Sequence, residues 1–272
     1  MDVTPNHIDK TPVGPPSECH ETRGAFATLA RSYPRGASLG LHAHQEAQLL
    51  FAARGVMQAT TTRGRWLVPP HRAVWLPSQR PHAVDMLSDI EMRSLYVDPA
   101  HVAAHPKAGR LGNEFVVRVA PLLRELILGC FADRRHPERG VALGRLILFE
   151  LTEAEDPATF IPMPQDPRAR RVAELVLAEP DGIRDLEDLA AVAGTSARTV
   201  TRLFSQETSL SFRTWRQRAR IMAAIEALCG SSPPPVKDLA HRLGFSSTAA
   251  FDYAFKQVTG TTPTAFVGKG GG

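Results

Sequence analysis

The segments LEDLAAVAG and VKDLAHRLG, at 186–194 and 236–244, write one device twice, about fifty residues apart. Leu186, Leu189, Ala190 and Ala193 fall at i, i+3, i+4 and i+7, and so do Val236, Leu239, Ala240 and Leu243. That spacing lays one apolar stripe along a helix. The closing Gly194 or Gly244 lets the chain enter the left-handed region without a Cβ clash. Serines then stand ready to cap a second helix, Ser196 in one copy and Ser246 or Ser247 in the other. The second helices carry Val200, Leu203 and Phe204, then Phe251, Ala254, Phe255 and Val258, again at helical spacing. Helix, glycine turn and helix form a helix-turn-helix, whose second helix lies in a DNA major groove. One such pattern fits any helical hairpin. Two in register point to a paired reading device.

The stretch between them, SFRTWRQRARIMAAIEALCG, keeps Phe212, Trp215, Ala219, Met222, Ile225 and Cys229 on one stripe. About eighteen helical residues span roughly 27 Å, close to the ~34 Å between major-groove faces on one side of B-DNA. Net charge is only +4, but it is unevenly placed. Arg198, Arg202, Arg213, Arg216, Arg218 and Arg220 stand against the single acid Glu207. Such an excess suits a polyanion, nucleic acid first, or a solvated helix surface.

At 272 residues and 43% hydrophobic content, the chain supplies cores for two domains. MDVTPNHIDK lacks the basic-then-apolar order of a secretory signal, and no apolar run approaches a membrane span. Cys19, Cys130 and Cys229 are odd in number and far apart, which fits neither a disulfide framework nor a metal clip. The expectation is a soluble, cytoplasmic protein with no membrane partner.

Residues 1–20 read as a flexible arm. From 21 to 98, short apolar runs are broken at Arg35-Gly36, Arg54-Gly55, Arg63-Gly64, Pro69-Pro70 and Pro77-Ser78, as in a β-sandwich or barrel. From 99 to 165 the texture is helical. Phe115, Val119, Leu122, Leu123, Leu126 and Ile127 recur at helical spacing, then Leu143, Ile147, Leu148 and Leu151. DPATFIPMPQDP, at 156–167, closes this region as a linker, because its prolines cannot continue a helix. Residues 166–268 read as all-α, and 269–272 as a tail.

Within GASLGLHAHQEAQLLFAARG, His42 and His44 sit one residue apart, and Gln48 follows. On one strand, side chains at i, i+2 and i+6 point the same way, so these three share a face, as do Glu46 and Leu50. His82 follows a proline turn in WLPSQRPHAVDM. Three imidazoles suit zinc, nickel, iron or copper, and an amide oxygen is a poorer donor than a carboxylate. The same residues also fit a sensing pocket or hydrogen-bonded interior groups. Phe51, Met57, Trp66, Trp75 and Met86 are either core or the lining of a small-molecule cavity. HVAAH, with His101 and His105, lacks a metalloprotease glutamate and reads as a solvated helix start.

Through LEDLAAVAGTSARTVTRLFSQET, SFRTWRQRARIMAAIEAL and VKDLAHRLGFSSTAAFDYAFKQVTGTTP, residues 166–267 resemble the DNA-binding domain of the AraC/XylS family of bacterial transcription regulators. The resemblance implies that Arg198, Thr199, Thr201 and Arg202 face DNA from the first recognition helix. On the second, it implies the same of Ser247, Thr248, Ala249, Asp252, Tyr253 and Lys256. Arginine pairs bidentately with guanine, whereas Ser, Thr and Lys mostly hold phosphate. The chain departs from the family at Ala249 and Tyr253, where Arg or a polar residue is common, and Asp252 brings a negative charge. Ser209 replaces the glycine of the usual ETG, and Ala265-Phe266-Val267 stands where Tyr-Arg often follows the last proline. The first unit is therefore expected to discriminate bases and the second mainly to position the protein. The implied partners are a double-stranded DNA operator, RNA polymerase, an unidentified small-molecule effector, and a second copy of the chain paired through 113–154.

The order Gly36, His42-x-His44, Gln48 and Gly55, with Pro77 and His82 beyond, resembles the cupin family, whose fold is a double-stranded β-helix barrel. Gln48 stands where that family has glutamate, Gln79 where it has glycine, and Met86 where it has asparagine. The resemblance implies His42, His44, Gln48 and His82 as the donors for a divalent transition metal, in a site lacking one negative charge and its proton-handling group. Glu46 is a substitute of the same parity. The expected fold is α+β and multidomain: a cupin-like barrel, a helical dimerisation region, and an all-α domain with two helix-turn-helix units. The expected function is sequence-specific transcription regulation, with no enzymatic activity. The rival is a metal-dependent cupin oxygenase or isomerase with a helical appendage, which Gln48 and the doubled motif oppose. A DNA-compacting protein, binding without sequence preference, is the third alternative.

Overall fold

The computed structural model describes residues 11–13, 25–132, 137–153, 160–182, 184–229 and 232–270. Its strands are β1 (Thr11–Val13), β2 (Phe26–Tyr33), β3 (Ala37–His42), β4 (Ala47–Arg54), β5 (Met57–Thr61), β6 (Gly64–Val68), β7 (Arg72–Leu76), β8 (His82–Met86), β9 (Ile90–Val97), β10 (Phe115–Arg118) and β11 (Phe160–Pro162). The helices are α1 (Pro99–Ala103), α2 (Ala108–Leu111), α3 (Pro121–Ala132), α4 (Pro137–Glu153), α5 (Pro167–Ala178), α6 (Leu186–Val192), α7 (Ala197–Thr208), α8 (Phe212–Leu228), α9 (Val236–Arg242), α10 (Thr248–Thr259) and α11 (Pro263–Gly270). The described residues form two compact units: one holds 11–13, 25–61 and 66–153, and the other 62–65 and 160–270.

The strand-rich unit contains two sheets. One runs β3-β8-β5-β6, and the other β10-β7-β4-β9-β2. β1 lies parallel to β3 at the edge of the first sheet, so Thr11–Val13 of the expected arm is a strand. Its proline is tolerated there, because an edge strand need not donate on both sides. The rest of the arm lies outside the described residues.

In the second sheet Gln48 pairs with Tyr96, Leu50 with Ser94 and Ala52 with Met92, which sets these residues on one face. The other face carries Ala47, Leu49, Phe51, Ala73, Trp75, Leu95 and Val97 into a core with Leu123, Leu126, Ile127, Ile147, Leu148 and Leu151. Helices α3 and α4 therefore cover that face. Phe51 and Trp75 belong to this core rather than to a ligand cavity. Phe115, expected on a helical stripe, opens β10 instead and pairs with Trp75. Phe115 and Val117 alternate into the same core, a period of two that four residues cannot distinguish from a helical turn. The helix starts only at Pro121, where a missing N–H has no intrahelical partner to lose. Gly55 turns the chain between β4 and β5 at φ +80°, and a Cβ there would lie 2.0 Å from the Asp89 carbonyl oxygen. Only glycine fits.

The helical unit follows its local signals. Gly194 and Gly244 have φ of 67° and 71°. Ser196 Oγ accepts from the Thr199 N–H, and Ser247, rather than Ser246, accepts from Ala250. The connector α8 has 17 residues, so it spans about 26 Å. Part of the expected linker is β11, beside the Thr62–Arg65 turn: Met163 N–H donates to the Arg63 carbonyl at 2.8 Å.

Helices α7 and α10 end alike. Thr208 and Thr259 bond back to the Phe204 and Phe255 carbonyls, and the next residue enters the left-handed region. That residue is Gly260 at φ 79° in one copy and Ser209 at φ 57° in the other. A Cβ in this conformation costs about 1 kcal/mol, partly balanced by the greater unfolded-state freedom of glycine. Ser209→Gly is expected to stabilise the helical unit by about 0.5 kcal/mol, read as a higher denaturant midpoint at unchanged slope.

Candidate functional site

His42 closes β3 and His82 opens β8, and the two are paired across the first sheet. Thr61 of β5 pairs with His82 on its other side. His44 lies between β3 and β4, and Gln48 is on β4 of the second sheet. The one-strand reading of these residues is therefore corrected. The chain leaves one sheet at His42 and enters the other at Ala47, so the side chains converge from two sheets rather than along one face. Ring centroids are 4.3 Å apart for His42–His82, 5.2 Å for His44–His82 and 6.0 Å for His42–His44. One ring nitrogen from each histidine lies within 4.8 Å of the others, and Glu46 is outside this group.

The Nδ1 atoms of His42, His44 and His82 lie 2.8 Å from the carbonyl oxygens of Gly40, Glu46 and Arg80 respectively. A carbonyl only accepts, so each Nδ1 carries the proton and each Nε2 of a neutral ring keeps its lone pair. Metal-binding histidines are oriented by such backbone bonds. His82 is 1% exposed, and its Nε2 has no hydrogen-bond partner. Burial, slightly opposed by the Arg80 carbonyl, pushes its pKa down to about 4, so the ring is neutral near pH 7. Gln48, 3% exposed, places Oε1 3.2 Å from His44 Nε2, and its Nε2 donates to Ser94 Oγ and Tyr96 Oη at 3.0 and 3.1 Å. Two acceptors facing one another call for a cation, or for the amide turned end for end. In the turned state, N–H donates to His44 and Oε1 accepts from the two hydroxyls. Tyr96 keeps the O–H that this bond needs, since burial pushes its pKa up to about 12 and the phenol stays protonated.

A second layer holds His82 in place. Arg80, whose carbonyl orients the ring, sets its Nε 2.9 Å from the fully buried Glu114 carboxylate, which also accepts from Thr61 Oγ1 at 2.7 Å. Gln79 adopts φ 57° and donates its N–H to the His44 carbonyl at 2.9 Å. Three imidazole nitrogens, one amide oxygen and no carboxylate fit zinc, nickel, iron or copper rather than magnesium or calcium.

On the helical unit, Arg198, Thr201 and Arg202 are exposed on α7, and Thr199 is half-buried. Arg202 Nη1 donates to Gln206 Oε1 at 2.8 Å, one turn on. On α10, Ala249, Tyr253 and Lys256 are exposed, with Thr248 and Asp252 half-buried, and Ser247 is the exposed cap. All ten residues singled out in the sequence therefore sit on, or at the start of, the two outward helix faces.

Three of the six arginines have partners within the protein. Arg216 holds the Gly182 and Arg184 carbonyls at 2.9 and 2.8 Å, Arg218 holds Phe160 at 3.1 Å, and Arg220 reaches Gly244 at 3.5 Å. Burial lowers all three pKa values from the ordinary arginine value. These three tie loops and a helix end to α8; Arg198, Arg202 and Arg213 remain exposed.

Residues 24–141 match the family model of an AraC-like ligand binding domain, and residues 189–269 match that of a helix-turn-helix domain. The HTH-type transcriptional regulator NimR of Escherichia coli K12 is 30% identical over 258 residues, 93% of this chain and 90% of that protein. The chain belongs to the AraC family of transcriptional regulators. It is a DNA-binding regulator with a ligand-binding domain, and the cupin-enzyme alternative falls. The HTH-type regulator RipA of Corynebacterium glutamicum is 35% identical over 105 residues, 39% of this chain and 31% of that protein. Among solved structures, ToxT from Vibrio cholerae aligns at 12% identity and TM-score 0.39, covering 92% of this chain and all of that one. Among the described residues, no helix is long and apolar enough to cross a membrane.

Several site residues gave no sequence signal to this AraC-family reading. Ser94 and Tyr96 alternate in IEMRSLYV, but only the β4–β9 register brings them to Gln48. Glu114 directly precedes β10, a strand whose pattern reads as helix in the sequence, so its pairing with Arg80 has no local signal.

Proposed function

We propose that a divalent transition metal, held by His42, His44 and His82 with Gln48 as a further donor, sets how tightly this regulator grips its operator. The supporting observation is the buried, unpartnered Nε2 of His82 beside two other imidazoles whose Nδ1 atoms are already committed to the backbone. Such an ion would supply a cross-link between donors on β3 and β8 of one sheet and β4 of the other. The outer face of that second sheet is the floor on which α3 and α4 pack. Leu122, Leu146 and Phe149 of those helices are 58%, 51% and 51% exposed, and they support pairing with a second copy of the chain. Metal affects DNA affinity only if it favours one arrangement over another. The operator meets α7 through Arg198, Thr199, Thr201 and Arg202, and α10 through Ser247, Thr248, Ala249, Asp252, Tyr253 and Lys256.

Full-length protein purified without chelator is expected to carry one transition-metal ion per chain by mass spectrometry. Its affinity for a duplex selected from random DNA should change at least about tenfold on chelation, ~1.4 kcal/mol of coupling, and recover when the metal is returned. Absence of metal, together with no zinc, nickel or copper binding at micromolar concentration, would end the proposal.

A further inference from the structure

The two reading helices are equal in length and can be matched position by position from their capping serines. Ser196 of α7 matches Ser247 of α10, and the closing Thr208 and Ser209 match Thr259 and Gly260. The inward positions agree in character: Val200, Leu203 and Phe204 answer to Phe251, Ala254 and Phe255, all buried. The outward positions do not. Arg198 answers to Ala249, Thr201 to Asp252, and Arg202 to Tyr253.

Each outward pair lies one turn apart, so its members share a face. On α7 that face bears two guanidinium groups, with Arg202 steadied by Gln206. On α10 it bears a methyl group and a phenol ring. Tyr253 is 69% exposed, so the helical unit leaves a large ring uncovered on a surface meant for DNA. Asp252 stands between them and repels phosphate, and Lys256 is the only cation on α10. A surface so poor in charge gains little from the sugar–phosphate backbone, against the expectation that this unit mainly positions the protein.

The major groove offers such a surface one apolar group, the C5-methyl of thymine, which alanine and aromatic side chains contact directly. Arginine pairs instead take guanine O6 and N7. We propose that the operator is chemically asymmetric: α7 reads guanine through Arg198 and Arg202, while α10 reads thymine methyl groups through Ala249 and Tyr253. This rests on α7 and α10 being the DNA-facing helices.

The test uses full-length protein and a duplex selected from random DNA, altered one half-site at a time. Deoxyuridine in place of thymidine removes only the methyl group, and 7-deazaguanine removes only the N7 acceptor. Each uridine in the α10 half-site should weaken binding about fourfold, the factor for one buried methyl, and that loss should vanish in Tyr253→Ala. Each 7-deazaguanine at a read base in the α7 half-site should weaken binding about tenfold, and that loss should vanish in Arg202→Ala. If uridine is silent in the α10 half-site while Tyr253→Ala weakens all duplexes equally, thymine reading is overturned but α10 remains a DNA contact. If Arg202→Ala and Tyr253→Ala both leave affinity and preference unchanged, the assignment of the DNA-facing helices fails instead.

Discussion

His82→Ala is expected to lower transition-metal affinity by more than 100-fold and leave the protein folded. Removing an outer-layer group around a metal costs about 10–100-fold, and a direct donor should exceed that. The fold should survive because His82 Nε2 makes no hydrogen bond to lose. The Nδ1 bond to the Arg80 carbonyl is lost, but Arg80 stays tied to Glu114 through its side chain. Gln48→Glu should act the other way and tighten metal binding by roughly tenfold, because a carboxylate adds charge where the amide offers only a dipole. Ser94 and Tyr96 can both donate to that carboxylate, so the exchange leaves no buried orphan. Titration calorimetry with zinc or nickel, alongside circular dichroism, separates these outcomes from unfolding. Equal affinities in wild type, His82→Ala and Gln48→Glu would remove the metal from the account.

What the sequence revealed and what it hid follow the range of the interactions involved. The cap at Ser196 and the turns at Gly194 and Gly244 act within four residues, so the sequence shows them directly, and it narrows the second cap to Ser246 or Ser247. His42, His44, Gln48 and His82 were found by spacing, yet their convergence depends on a change of sheet between His42 and Ala47. No local period encodes such a change. Phe115 reads as helical in the sequence because the run it opens is too short for a period of two to declare itself. In the chain, Arg216, Arg218 and Arg220 fit either a polyanion or a solvated helix surface. Their partners are carbonyls 24 to 58 residues away, which composition cannot see. The setting of Gln48 is of the same kind: only cross-strand pairing shows that Ser94 and Tyr96 fill two of its bonds.

Trp215→Ala is expected to cost about 3–5 kcal/mol, a large part of the roughly 5–15 kcal/mol that holds a domain together. Trp215 is fully buried on α8, edge-on to Phe204 of the first reading helix with ring centroids 5.1 Å apart. Its Nε1 donates to the Pro162 carbonyl at 2.6 Å, so alanine would leave both a cavity and an unpaired acceptor. Because α8 sets the distance between the two grips, the damage should reach DNA binding. Affinity for a duplex holding both half-sites should fall much further than affinity for either half-site alone, since the gain from linking two grips depends on their spacing. Trp215→Phe keeps an aromatic ring against Phe204 and loses the hydrogen bond, so it should cost about 1–2 kcal/mol and retain most of the two-site advantage. Denaturant unfolding followed by binding to whole and half operators checks both variants. Equal losses on whole and half-site duplexes would show that α8 supports each grip separately and does not set their spacing.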